Sequence, residues 1–137
     1  DTGSTTSTSY STMGGTVTIT PATTSSKILI SWDIVMGATM VGGVYIKLQR
    51  TTTDIYEGDA SGSGHERVTY NNDSNAWNIY SQWMQSPSTT SATTYKLVWK
   101  VSSGSTFYIN RSSADRTSWS PGEGRSASSI TAIEIGA

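Results

Sequence analysis

"KILISWDIVM", residues 27 to 36, decides the fold. Ile28, Ile30, Trp32, Ile34 and Met36 recur at every second position, which places them on one face of an extended strand; a helix would need them three and four apart. The opposite face carries Leu29, Ser31, Asp33 and Val35, the mixture expected where one side is core and the other is partly covered.

The same period runs through the rest of the chain. "TVTIT" (16–20) alternates Val17 and Ile19 with Thr and ends in a turn at Pro21. "VYIKLQR" (44–50) sets Val44, Ile46 and Leu48 against Tyr45, Lys47 and Gln49, and reads as half-buried. Shorter strands are predicted at "DIYEG" and "ERVTY", on either side of a turn at "DASGSGH". In "AWNIYSQWM" (76–84), Trp77, Ile79 and Trp83 share one face and Tyr80 takes the other. "SPSTTSATTYKLVWKV" (86–101) joins a hydroxyl-rich connection to a strand with Tyr95, Leu97, Trp99 and Val101 inward. Gly104 then turns the chain into "TFYINR", which predicts a hairpin. A long polar loop over residues 111 to 126 leads to "ASSITAIEI". In that last strand Ile133 and Ile135 face one way and Ile130 and Ala132 the other, so it is either buried centrally or offers one face to a partner subunit.

Composition agrees with this reading. The 137 residues fit one domain, about a third of them Ser or Thr, with 13 Gly and almost no Leu. The fold class expected is all-β: an antiparallel β-sandwich or jelly roll spanning residues 15–137. Residues 1–14, poor in apolar side chains, read as a linker or lead-in, and the absent initiator Met points to a fragment of something longer. A net charge of −1 supplies no basic field, so nucleic acid is not an expected partner, and no apolar run is long enough for membrane insertion by a helix. The absence of Cys removes disulfides, thiolate catalysis and Cys-based metal sites. "DASGSG" (59–64) is only faintly like a calcium loop, with serines in place of carboxylates, and reads as a turn; no metal or cofactor is expected.

Catalytic chemistry has little to work with. His65 is the single histidine and sits in the Gly/Ser turn, where a solvated role is the simpler reading. A glycosidase pair is available in principle from Asp54, Glu57 and Asp59 or from Asp115 and Glu123, but acidic residues beside turns are ordinarily solvated caps. The aromatic set, five Trp and seven Tyr against one Phe, favours rings with one packed and one wet end. Trp119 lies in the polar loop with Asp115, Arg116, Glu123 and Arg125 around it. It is suited either to stacking on a sugar ring or to folding back as a lid over the core edge.

Four segments in order, "VTITPATTSSKILI", "SPSTTSATTYKL", "GSTFYINRS" and "GRSASSITAIEI", are spread over nearly the whole range of residues 16 to 135. Together they resemble the C-terminal domain of tail-fibre and related structural proteins of tailed bacteriophages. The resemblance implies a compact β-sandwich at the fibre tip of the virion, outside the cell, assembled as a homotrimer and adsorbing to a host surface receptor such as a polysaccharide. It implies no catalytic residue and transfers no site motif. The candidate receptor or carbohydrate contacts are therefore chosen for their chemistry: Trp119, Asp115, Arg116, Tyr80, Asn78 and His65. Two other functions stay open, a polysaccharide-depolymerising module using the carboxylates above and a purely structural virion or decoration domain.

Overall fold

The structure is a computed structural model that describes residues 2–39, 43–58, 77–102, 104–115 and 124–136. Among these the chain forms nine strands and no helix: β1 (Gly3–Thr5), β2 (Ser11–Ile19), β3 (Lys27–Thr39), β4 (Val44–Arg50), β5 (Thr53–Tyr56), β6 (Trp77–Gln85), β7 (Thr93–Val101), β8 (Thr106–Ile109) and β9 (Ser129–Ile135). All pairings are antiparallel. The partners β1 with β8, β2 with β7, β3 with β6 and β4 with β5 are those of one long hairpin doubled back on itself. Further pairing of β8 with β3 and of β7 with β4 rolls that ribbon into two sheets, ordered β1-β8-β3-β6 and β2-β7-β4-β5.

β3 is the spine of the first sheet. Its first half, Lys27 to Asp33, pairs with β9, and its last residues, Met36 to Thr39, pair with β8 on the same side, so two strands lie end to end along one neighbour. Ile28, Ile30, Trp32, Ile34 and Met36 are buried, as their alternation requires, and form one cluster with Val44, Ile46, Leu48, Tyr95, Leu97, Trp99 and Val101 of the second sheet. Two antiparallel sheets sharing one apolar layer are compatible with a β-sandwich. Trp77 and Trp83 both lie on the inner side of β6: Trp77 meets Phe107 edge-on at 6.1 Å, and Trp83, 37% exposed, stacks on Tyr56 at 4.6 Å with Trp32 beyond.

The hydroxyl-rich connections do backbone work. Ser91 N–H bonds Thr89 Oγ1 at 3.0 Å and Thr93 Oγ1 donates to Ser91 O at 3.0 Å, while Ser26 Oγ accepts from Thr23 N–H at 3.2 Å in the turn before β3. Short side-chain oxygens here replace the ladder bonds that a turn lacks.

Three expectations are corrected. The turn at Gly104, whose φ is 82°, does not close a hairpin, because β7 lies between β2 and β4 in one sheet and β8 between β1 and β3 in the other. A tight turn reverses the chain whether or not the two strands pair, and both edges of β7 were already taken. The 1–14 lead-in supplies β1 and the start of β2, and its Met13 is in the core. Backbone ladder bonds need no apolar signature, so a Ser/Thr/Gly run can pair while reading as linker. Finally, β4 is not half-buried: Tyr45 and Lys47 on its outer face are buried too. The predicted strand "ERVTY" and the turn before it lie outside the described residues.

Candidate functional site

The outer face of the first sheet carries two of the six residues chosen from the sequence, Tyr80 and Asn78. β3 directs Leu29, Ser31, Asp33, Val35 and Gly37 to this side. In register, Asp33 is opposite Tyr80 and Val35 is opposite Asn78. Asn78 Nδ2 donates to Asp33 Oδ1 at 3.3 Å, and the Tyr80 hydroxyl reaches towards Gln82 Oε1 at 3.5 Å on the same strand face. Tyr80 is 67% exposed, the most exposed large apolar side chain described. The result is a ledge of one open ring flanked by a carboxylate and two amides.

The polar loop after β8 crosses the same face. A Cβ on Gly37 would lie 2.5 Å from Arg111 O and 2.8 Å from Ser112 Cα, so the loop backbone passes directly over β3 where no side chain stands. Such close approach is what a glycine inside a strand commonly marks. Arg111 lies 3.8 Å above the Tyr108 ring and is bridged to Arg125 across the loop stem. Ser112 N–H bonds Gly124 O at 3.2 Å, and Ser126 N–H bonds Asn110 O at 2.9 Å. Below the stem, Asn110 takes a left-handed conformation, φ 64°, and its side-chain oxygen accepts a short bond from Ser128 Oγ, which itself accepts Val35 N–H at 2.9 Å. Asn tolerates this backbone better than most residues.

Asp115 closes the stem. Arg125 donates to both its oxygens, at 2.9 and 3.1 Å, and Arg111 Nη1 lies 3.6 Å away. The hydrogen bonds from Arg125, with the charges of Arg125 and Arg111, hold the Asp115 carboxyl below its ordinary value, so it stays ionised. Its chemistry here is that of a clamp. Arg116 and Trp119 lie beyond it, outside the described residues, as do His65, Asp59 and Glu123.

Two further carboxylates weighed for hydrolysis, Asp54 and Glu57, lie among the described residues and are also engaged. Lys47, buried on the outer face of the second sheet, pairs with Asp54 at 3.1 Å and with Glu57, and Gln49 Nε2 donates to Asp54 at 2.8 Å. Tyr10 covers this group, with the ammonium groups of Lys47 and Lys100 each 4.8 Å from its ring centre. Burial alone would lower the Lys47 pKa, but hydrogen bonds to Glu57 and Asp54 outweigh it and raise the group well above its ordinary value.

A cleft of about 390 Å³ opens at the sheet edge between β2 and β9. Met13, Ile34, Leu97 and Ile109 form its floor, and Asn110 and Ser128 stand on its polar rim. Among the described residues no aromatic side chain lines it. No cluster of three or more His, Cys, Asp or Glu suited to a metal occurs among the described residues.

Of the residues chosen from the sequence, Tyr80, Asn78 and Asp115 lie among the described ones; their neighbours and partners Asp33, Gln82, Arg111 and Arg125 were not marked in the sequence as such. Gly37 was the available signal for the loop crossing; nothing local marked Arg125 as the partner of Asp115. No protein-family model and no curated protein matches this chain.

Proposed function

We propose that this domain is a non-enzymatic receptor-binding module of the kind carried at tail-fibre tips, which adsorbs to a host surface polysaccharide. The observation that carries the reading is the ledge of Tyr80, Asn78, Asp33 and Gln82 on a strand face, with Arg111 and Ser112, at the clamped stem of the loop after β8, laid over the same sheet at Gly37. An exposed ring offers a flat apolar surface to a sugar, while amides and a carboxylate beside it bond hydroxyl groups. The grip of Arg125 on Asp115, which keeps that carboxyl ionised, supports binding over hydrolysis, because a general acid needs a carboxyl that can carry a proton near neutral pH.

The finer fold reading is a jelly roll, supported by the long-hairpin pairing and the two sheet orders. A homotrimer rests on the fibre resemblance alone.

The test is adsorption of the isolated domain to host cells and to an array of bacterial surface glycans. Tyr80→Ala and Asn78→Ala are expected to weaken binding by roughly ten-fold each, the scale of losing one stacked ring or one bonded amide. Binding that is unchanged in both variants would remove the ledge as the receptor site. Release of reducing ends from the bound glycan would replace the reading with the depolymerase.

A further inference from the structure

Five large apolar side chains among the described residues are exposed; Trp83, at 37%, lies on the inner side of β6, and the other four share the outer face. Tyr80, Met84 at 48%, Ile133 at 49% and Ile135 at 41% all lie on β6 and β9 and point from the outer face of the first sheet. Met84 is opposite Leu29 and Leu29 is opposite Ile133, so one apolar row crosses three strands. The adjacent row, Gln82, Ser31 and Thr131, is polar but uncharged. Charge appears on this part of the face only at its two ends, among the described residues: Lys27 beside Ile135, and Asp33 beside Tyr80. Six positions of extended chain separate them, roughly 20 Å.

We propose that a second copy of this chain packs on this half of the face, its β3 antiparallel to the first, about a two-fold axis passing between Leu29 and Ser31. In that arrangement Lys27 of each copy lies across from Asp33 of the other, and the apolar row of each interleaves with the uncharged row of its mate. The charge pattern selects both the occupant and the direction. A surface whose positive end matches its own negative end is complementary to itself by a two-fold rotation, the requirement of an isologous contact. Parallel stacking would set Lys27 on Lys27 and Asp33 on Asp33 instead. Because β6 ends at Gln85, opposite Ile28, Tyr80 meets no strand of the second copy and stays at the rim with Asn78.

The face is small. Three strands and nine residues cover on the order of 400 Å², about half of what one partner contributes to a standard interface. The pair is therefore in exchange with the single chain, and its population rises with concentration. This two-fold pair is a different assembly from the three copies that the fibre resemblance implies, and it does not depend on the receptor reading.

Carbodiimide coupling, which joins touching ammonium and carboxylate groups without a spacer, tests the contact directly on the intact chain. A covalent dimer containing a Lys27–Asp33 linked peptide is expected; within one chain these residues are too far apart to join. Light scattering should give a mass that climbs from one towards two chains with concentration. Ile133→Lys and Met84→Lys, both at exposed positions, should hold it at one chain while thermal unfolding stays cooperative. Lys27→Glu and Asp33→Lys should each weaken pairing roughly ten-fold, and the double exchange should restore it. A single-chain mass up to millimolar concentration, a three-chain particle, or a dimer indifferent to the charge exchange would overturn the proposal. The contact shares Asp33 and Gln82 with the receptor ledge, and loss of pairing in Ile133→Lys, a position outside the ledge, with glycan adsorption per site retained tells the two roles apart.

Discussion

Arg125 donates one hydrogen bond to each oxygen of Asp115, at 2.9 and 3.1 Å, and so ties the two ends of the 111–126 loop together. Arg125 is two-thirds exposed, which makes the pair a surface clamp whose value lies in geometry more than in energy. Asp115→Asn is expected to leave the fold intact and to speed amide exchange several-fold at Ser112 and Ser126, whose N–H groups span the stem. Exchange rates unchanged at both amides would show that the clamp holds nothing.

Gly37 makes a steric prediction. In Gly37→Ala the new methyl would meet the Arg111 carbonyl at 2.5 Å, and that neighbour is backbone, so the loop must lift. A loss of about 1–3 kcal/mol is expected, the range for overpacking, read from chemical denaturation. A variant as stable as the parent would mean that the loop does not cross β3 as described.

Lys47 is buried between two carboxylates that remain partly open to water, Asp54 at 32% and Glu57 at 37%. Lys47→Ala leaves both acids facing each other without their cation and should destabilise the domain by about 1–3 kcal/mol, less than for a fully buried pair because solvent screens the acids. Lys47→Met combined with Asp54→Asn should recover part of that loss. Denaturant midpoints of the two variants decide it; equal midpoints for Lys47→Ala and the parent would remove the ion pair as a source of stability.

Stability should hold a plateau between acid and alkaline limits. Asp115 is depressed first by its hydrogen bonds from Arg125, and Glu134 by its bonds to Ser26 and the Ala22 N–H. Their contribution is present above the ordinary values of 3.8 and 4.5 and is lost as pH falls through the lower folded values. Lys47 is raised, so its contribution is complete below 10.5 and fades only as pH climbs towards the folded value. Tyr95, raised by burial, favours unfolding once pH passes its ordinary value of 10.0. Thermal midpoints measured against pH should therefore drop on both flanks; a midpoint that rises on acidification through this lower range would contradict the assignment.

How far the chain could be read from residues alone varies by feature. The inward set of β3 and β7 was legible because burial on one face of a strand imposes period two, and the hydroxyl-rich turn before β7 was legible because short polar side chains bond nearby backbone. The burial of Lys47 was not. It depends on Tyr10, thirty-seven positions away, lying over the outer face of β4. The clamp was half legible: Asp115 was singled out by its company of charges, but which of Arg111, Arg116 and Arg125 would grip it depended on the bridge between positions 111 and 125.

The order of residues along this chain determined by itself that it is built of strands, which side chains turn inward and where the turns fall, since alternation and turn chemistry act between neighbours. Only the tertiary structure decided who pairs with whom: that β7 and β8 part into different sheets, that the first residues join them, that Tyr80 and Asn78 stand beside Asp33 and that Arg125 grips Asp115. Strand pairing is made by backbone bonds that carry no side-chain code, so partners are chosen by the packing of the whole and not by any local stretch.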